Sequence, residues 1–423
     1  MLYCVAAETG SGFRRVPGQV SKRLPTPPTG GIERIMIRHA TLDDLDALVA
    51  IEDRCFDTDR LSRRNFRYLL IKGNAETLVE EEHGAVRGYA MLLFNAGVSL
   101  ARLYSLAVDP RFQRMGVAGR LVEACEVNAR QNDCVSMRLE IRKDNAASIG
   151  VFRRHGYREF GIHADYYEDH MDAVRFEKSL VKDHKPAMAR VPYYEQTLDF
   201  TCGPSAIMMA MKALDPQLEL DRKLELRLWR ESTTVFMTSG HGGCGPYGMA
   251  LSAYHRGFDV EVYVNAEGAM FIDSVRDPEK KEVMRLVQED FIKELSKVPV
   301  KVHRGVLGVN ALQEQFEKGG IPVVLISSYR IYHEKSPHWV VVTGFDHRFI
   351  YVHDPLVDKD EGKTVTDCVN MPILRKDFER MARYGKAGQK AVLILKRRAQ
   401  GKPDSLHGGS SERTPRKSVR YGG

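Results

Sequence analysis

Residues Leu106-Ala-Val-Asp-Pro-Arg-Phe-Gln113-Arg114-Met115-Gly116-Val117-Ala118-Gly119-Arg120 pass from an apolar strand-like run through a turn into an amphipathic helix. The glycines let backbone N–H groups come close to a bound group, and the new helix directs its positive end at the same place. An anion such as pyrophosphate suits that position. A strand feeding a helix through such a turn also sets the fold class of this part of the chain as α/β.

The surrounding pattern extends the module. From Met36 to about residue 180 the periodicity predicts a strand, a helix, a helix near Ser62–Ile71, strands at Ala75–Glu82 and Arg87–Asn95, the run Leu100–Val108, helix 117–131, strand Ser136–Ile141, helix 145–155 and a closing strand near 171–180. Lys182–Arg190, with Lys185-Pro186, reads as a polar linker. A second pattern follows from Val191: a helix from Cys202, helix 279–296, and strands at Pro322–Ser327, His338–Phe345 and Arg348–Val352. The expected organisation is a tail over 1–35, a first domain over 36–181, a linker over 182–190, a second domain over 191–395 and a tail over 396–423. Met36 would serve as an alternative start that still yields a complete first domain.

The net charge of +7 raises nucleic-acid binding as a possibility, but the charge is concentrated at the ends. Residues 396–423 hold eight basic residues against two acidic, and residues 1–35 five against two, so the body is slightly acidic. That distribution argues against a nucleic-acid-binding fold and for solvated, disordered tails. No run of about 18 apolar residues occurs, and the N-terminus lacks the pattern of a secretory signal. Seven cysteines without a C-x-x-C pair favour reduced thiols over a disulfide framework or structural zinc. The expectation is a soluble, cytoplasmic protein with no metal and no membrane partner; its oligomeric state is not legible.

On these residues, 36–180 resembles the GNAT family of acetyl-CoA-dependent N-acetyltransferases, most closely the ribosomal-protein alanine acetyltransferase type. Gln113-Arg-Met-Gly116-Val-Ala118 matches the family's Gln/Arg-x-x-Gly-x-Gly/Ala turn. Leu139-Glu140-Ile141-Arg142 with Asn145 through Phe152 to Gly156-Tyr157 matches its next strand and helix. The resemblance implies acetyl-CoA as co-substrate, held by Leu106, Val108, Gln113, Arg114, Gly116, Ala118, Gly119 and Asn145. It implies Glu140 as the base that takes the proton of the substrate ammonium. Phe152 departs from it, because the family often has a proton-donating tyrosine there; Tyr166 and Tyr167 are the substitutes considered.

In the second domain, Gln196-Thr-Leu-Asp-Phe-Thr-Cys202-Gly-Pro-Ser puts a cysteine at the entry of an apolar helix, where the helix N-terminus stabilises a thiolate. Gln196 supplies an amide able to donate to an oxyanion. The segment from His338 to Asp354 reads as two strands around a turn at Asp346; with that centre, His338 and Asp354 are direct cross-strand partners and His353 faces the other way. Cys244 is the rival thiol, read as structural or as part of a substrate loop. The set Cys202, His338, Asp354 and Gln196 resembles the papain-like cysteine peptidases of the bacteriocin-leader-processing branch, although that branch is often fused to a membrane transporter.

The fold class expected is therefore α/β and α+β in two domains, a GNAT fold followed by a papain-like fold. The expected function is bifunctional: N-acetylation of an amine, at a peptide or protein N-terminus, joined to a Cys-His-Asp peptidase or amidase. The alternatives are an active acetyltransferase with a silent peptide-binding domain, or an acetyl-CoA-sensing regulator.

Overall fold

The computed structural model describes residues 35–398 apart from 183–184, 235–241, 267 and 361. The expected tails lie outside the described residues, except Ile35 and 396–398.

The first domain is a seven-stranded sheet. Its strands are β1 (Met36–His39), β2 (Ala75–Glu82), β3 (Ala85–Phe94), β4 (Leu100–Val108), β5 (Ser136–Arg142), β6 (Arg158–His163) and β7 (Ala173–Ser179), in the order β1-β2-β3-β4-β5-β7-β6. Strand β6 is an addition to the sequence reading. Helices α1 (Leu45–Cys55) and α2 (Arg63–Ile71) pack on one face, and α3 (Val117–Gln131) and α4 (Ala146–Arg154) on the other. Alternation along the strands divides the core accordingly: Leu103, Leu139 and Phe176 face α3, while Val79, Tyr89 and Tyr104 face α1 and α2.

Neighbouring strands are antiparallel except β4 and β5, which pair in parallel over only three positions, Leu100–Arg102 with Ser136–Arg138. Beyond Arg102 the two strands no longer pair, and the sheet opens between Tyr104–Val108 and Glu140–Arg142. Helix α3 begins at the far end of that opening.

The segment expected as a plain linker takes part in the second fold. Ala187–Met188 forms β8, which pairs antiparallel with Gly344 and Phe345 at the end of an inner strand of the second sheet. Helices α5 (Cys202–Leu214), α6 (Arg222–Ser232), α7 (Pro246–His255), α8 (Pro278–Leu295) and α9 (Val309–Glu317) accompany β9 (Phe258–Val264), β10 (Lys301–Arg304), β11 (Ile321–Ser327), β12 (Pro337–Phe345), β13 (Phe349–His353), β14 (Met371–Leu374) and β15 (Ala391–Arg397). The sheet order is β10-β9-β15-β11-β12-β13-β14. One face packs on α5 and α7 through Ile207, Met211, Tyr247, Val323 and Leu393; the other packs on α9 and helix 375–381 through Leu312, Val340, Val352 and Phe378. Lys396 and Arg397, assigned to the tail from sequence, end β15, and the Arg398 guanidinium binds Asp259 and two backbone carbonyls.

The two domains share a polar interface. Arg102 and Arg138, both nearly fully buried, project from β4 and β5 onto the second domain's segment 362–370.

Candidate functional sites

The turn that opens α3 is shaped for close backbone approach. Gly116 is the N-cap at φ 78°, a left-handed conformation that glycine adopts without strain, and no side chain caps the helix. A Cβ there would meet the Arg120 guanidinium at 2.9 Å. The first-turn N–H groups of α3 thus keep their donors for an anion. Gln113 sits in the turn with Nε2 3.5 Å from the Val108 carbonyl, and Arg114 is exposed at φ 63°. Ala118 is buried against the core, and Gly119 packs beside the His155 ring. Asn145 caps α4, its Oδ1 accepting from Ser148 N–H at 3.0 Å, while its buried Nδ2 has no hydrogen-bond partner among the described residues. A coenzyme with a pyrophosphate and an amide-bearing arm fits these donors. Leu106 and Val108 lie on the part of β4 that pairs with β3 but no longer with β5, so that this edge of the strand faces the opening.

Glu140 is at the same opening but deeply enclosed, with 2% exposure. Its Oε2 accepts from Arg102 Nε at 3.0 Å and its Oε1 from Thr364 Oγ1 of the second domain at 2.9 Å. Arg102 Nη2 also donates to Tyr166 Oη at 2.9 Å, which ties one of the two tyrosines to this cluster. Tyr167 instead lies under the Arg142 guanidinium. Phe152 is in the α3-side core, edge-on to Tyr157. Its position is a packing one, so the absence of a hydroxyl there carries no information about proton donation.

In the second domain, Cys202 is the first residue of α5 and is partly exposed. His338 is the second residue of β12 and Asp354 directly follows β13; His338 Nε2 lies 2.6 Å from Asp354 Oδ1. The pair forms although the strand register differs from the sequence reading. Val341 pairs with His353 and Val342 with Val352, and a bulge follows before Gly344. Asp354 therefore reaches His338 diagonally. Tyr332 Oη donates to Asp354 Oδ2 at 2.7 Å and Leu356 N–H to Oδ1 at 2.9 Å.

Burial opposes a charge on His338, but the Asp354 carboxylate, hydrogen-bonded to the ring, outweighs it with a smaller contribution from the neighbouring Cys202 and raises its pKa to about 10. Asp354, despite burial, is held below the usual carboxylate range by the His338 charge and its hydrogen bonds. His353 faces the other way, as expected. It is buried, its pKa is pushed down to about 4, and it contacts the Val191 carbonyl through Nε2 and accepts from Asn370 N–H through Nδ1.

Gln196 is fixed by its N–H donating to the Pro355 carbonyl at 2.9 Å, and its Nε2 donates to the Leu198 carbonyl at 2.9 Å. Its buried Oε1 has no hydrogen-bond partner among the described residues. Cys244 lies close by: a Cβ on Gly203 would meet the Cys244 Cβ at 3.3 Å, and burial holds the Cys244 thiol well above its ordinary range.

One residue of this site escaped sequence reasoning. Glu225 on α6 is fully buried, and its carboxylate accepts from Tyr194 Oη (3.0 Å), Thr197 N–H and Oγ1 (2.8 Å each), Thr201 Oγ1 (2.5 Å) and Ser205 Oγ (3.4 Å). It fastens the strand-like segment carrying Gln196 to the start of α5. The sequence signal was a glutamate on the buried α6 face with Leu228 and Ser232, at spacings of three and seven.

These features define a two-domain protein, one domain with an uncapped glycine turn at the start of α3 beside an opening in its sheet and the other carrying a cysteine, a histidine and an aspartate at one place. Residues 44–157 match the acetyltransferase (GNAT) family and residues 191–396 match the Peptidase_C39 like family, so the chain carries a GNAT domain joined to a Peptidase_C39-like domain. Among curated relatives, the [ribosomal protein bS18]-alanine N-acetyltransferase of Salmonella typhimurium is 36% identical over 77 residues, covering 18% of this chain and 52% of that protein. The putative counterpart of Bacillus subtilis is 24% identical over 133 residues, 31% of this chain and 87% of that protein. For the first of these, the chain spans about half the relative's length. The crystal structure of the Escherichia coli ribosomal-protein-S18-alanine N-acetyltransferase is 24% identical, with a TM-score of 0.33 over 36% of this chain and 97% of that one. No described helix is long and apolar enough to cross a membrane, and no described group of three or more His, Cys, Asp or Glu residues is placed to hold a metal.

Proposed function

We propose that the protein is a bifunctional cytoplasmic enzyme: an acetyl-CoA-dependent N-acetyltransferase acting on the amine of a peptide or protein N-terminus, joined to a cysteine peptidase or amidase. The observation that carries the second half is the His338–Asp354 contact of 2.6 Å, with Cys202 at the start of α5 close enough to act on the same imidazole.

In the first domain, the α3 turn from Gln113 to Gly119, Leu106 and Val108 on β4 and the Asn145 amide hold the co-substrate, which supplies an activated acetyl group when bound. Glu140 takes the proton from the acceptor ammonium, and Arg102 keeps its carboxylate oriented. Tyr166, hydrogen-bonded to Arg102, is the tyrosine hydroxyl tied to this cluster.

In the second domain, the Cys202 sulfur attacks the carbonyl carbon of an amide. Gln196 Nε2 and the first N–H groups of α5 serve the oxyanion. His338 gives its proton to the departing amine, leaving a thioester, and then takes a proton from the water that releases the acid. Asp354 holds the ring in place throughout and stabilises it in the steps where it is charged.

Two measurements test the reading. The full-length protein is incubated with acetyl-CoA and short peptides that differ in the first residue, and free coenzyme thiol and peptide mass are followed; N-acetylation of at least one peptide is expected. Separately, iodoacetamide labelling of each cysteine is followed by mass spectrometry. Cys202 should react fastest below pH 8 and slow at least about tenfold in His338→Ala. Equal rates at Cys202 and Cys55 would reduce the second domain to a binding module.

A further inference from the structure

The acetyl-transfer site is not closed by its own domain. Thr364 Oγ1 donates to Glu140 Oε1 at 2.9 Å, across 224 residues of sequence. Asp367, three residues on, accepts from Thr364 N–H at 2.9 Å, from Arg102 Nη1 at 3.0 Å and from Asn95 Nδ2 at 3.0 Å. Arg102 Nη1 also donates to the Gly362 carbonyl at 3.1 Å. Arg102, Glu140 and Asp367 are all at least 95% buried. Arg102 is thus shared between a carboxylate of its own domain and one from the other, and Thr364 sets the second oxygen of Glu140. The same segment returns to the thiol site, because the Cys368 carbonyl accepts from Asp354 N–H at 2.9 Å.

A buried guanidinium with two carboxylates and a backbone carbonyl is a fixed joint rather than a passing contact, since removing one partner leaves charge uncompensated in a dry interior. A carboxylate that must accept a proton at one stated point needs its rotamer locked, and here two of the locking groups come from the Peptidase_C39-like domain. We infer that Thr364 and Asp367 are positioning residues for acetyl transfer, so that the second domain is a structural part of the first domain's site. This rests on the assignment of Glu140 as the base.

The test uses the full chain and the peptide most readily acetylated in the panel above. Thr364→Val removes the hydroxyl at nearly constant shape. It should lower kcat for acetyl transfer about tenfold while leaving KM for acetyl-CoA within about twofold, and Thr364→Ser should restore kcat. Asp367→Asn should give the same split, and it keeps the question decidable if the valine variant folds poorly. Unchanged kcat in both, or failure of the serine variant to restore it, would overturn the inference. A raised kcat would also overturn it, by showing that the segment obstructs the site. Glu140→Gln separates the two claims. If it retains full activity, the base assignment fails and this inference fails with it. If it is inactive while both second-domain variants are normal, only the inference fails.

Discussion

Asp354 meets His338 at 2.6 Å from just past the end of β13, on a diagonal, because β12 and β13 pair with Val341 against His353, two residues away from the register that would set His338 and Asp354 opposite each other. The carboxylate accepts two further hydrogen bonds, from Tyr332 and Leu356, so it remains an anion in a fully buried position. Nε2 takes the carboxylate, which leaves Nδ1 as the other ring nitrogen.

The titration of this ring follows from that geometry. With its pKa raised from 6.5 to about 10, His338 should stay protonated between pH 6.5 and 9 in an NMR titration, and Asp354→Asn should bring the transition down into that range. The folded state binds more protons than the unfolded state between those values. The stabilisation is therefore fully present below pH 6.5 and is lost as pH rises towards 10. Asp354 works in the opposite sense: its pKa is lowered from 3.8, so its contribution is present above that value and is lost as pH falls. Urea midpoints across pH would read both limbs, and a wild-type midpoint that does not fall between pH 7 and 10 would contradict the His338 assignment.

Glu225 is predicted to be indispensable to the Cys202 segment. Glu225→Ala removes the acceptor of the Tyr194, Thr197, Thr201 and Ser205 hydroxyls and of the Thr197 N–H; Thr201 and Ser205 are fully buried, and each donor left buried and unsatisfied costs about 1–3 kcal/mol. A net loss of about 3 kcal/mol in urea unfolding is expected, with a slower iodoacetamide reaction at Cys202. A loss under about 0.5 kcal/mol would show that the five donors do not depend on the carboxylate.

What could be read from sequence divides along chain distance. The α3 turn was legible because Gln113, Gly116, Ala118 and Gly119 act within seven consecutive residues, where strand and helix patterns meet. Cys202 was legible because a cysteine at an apolar helix start is also a local pattern. The His338–Asp354 pairing was foreseen with the wrong register, since the bulge between Val342 and Gly344 leaves no mark in the alternation of apolar residues. Glu140 lies on the strand that the sequence pattern predicts, yet its partner Thr364 is 224 residues away, and nothing in either segment alone announces the other. β8 looked like linker because a two-residue strand next to Lys185-Pro186 has no periodicity to display.

Gly116→Ala probes the coenzyme turn. Its φ of 78° is a left-handed conformation that costs a residue with a side chain about 1–2 kcal/mol, and the added methyl would displace Arg120, which otherwise binds Glu80 and the Met115 carbonyl. The expected result is a rise of about tenfold in the Kd for coenzyme A by calorimetric titration, with Cys202 labelling unchanged. Unaltered coenzyme affinity would mean that the α3 turn does not hold the pyrophosphate.

Arg138 holds the interface at its other end. Its guanidinium binds Glu177 in its own domain and donates to the carbonyls of Thr366, Val369 and Asn370 in the second. Asn370 is also gripped from behind, its N–H donating to His353 Nδ1 at 2.9 Å. Arg138→Met should therefore cost about 3 kcal/mol and split a shared calorimetric unfolding transition into two, because the carbonyls it satisfies would be left buried. The His353 contact adds a dependence on acidity. Burial pushes its pKa from 6.5 down to about 4, so between those values the unfolded chain binds the proton that the folded chain refuses, and stability falls as pH falls through that window. In wild type the two domains should unfold together at pH 7 and begin to separate as pH approaches 4. In His353→Gln the acid-dependent separation should be weaker, and equal acid sensitivity of the two proteins would assign the effect to another group.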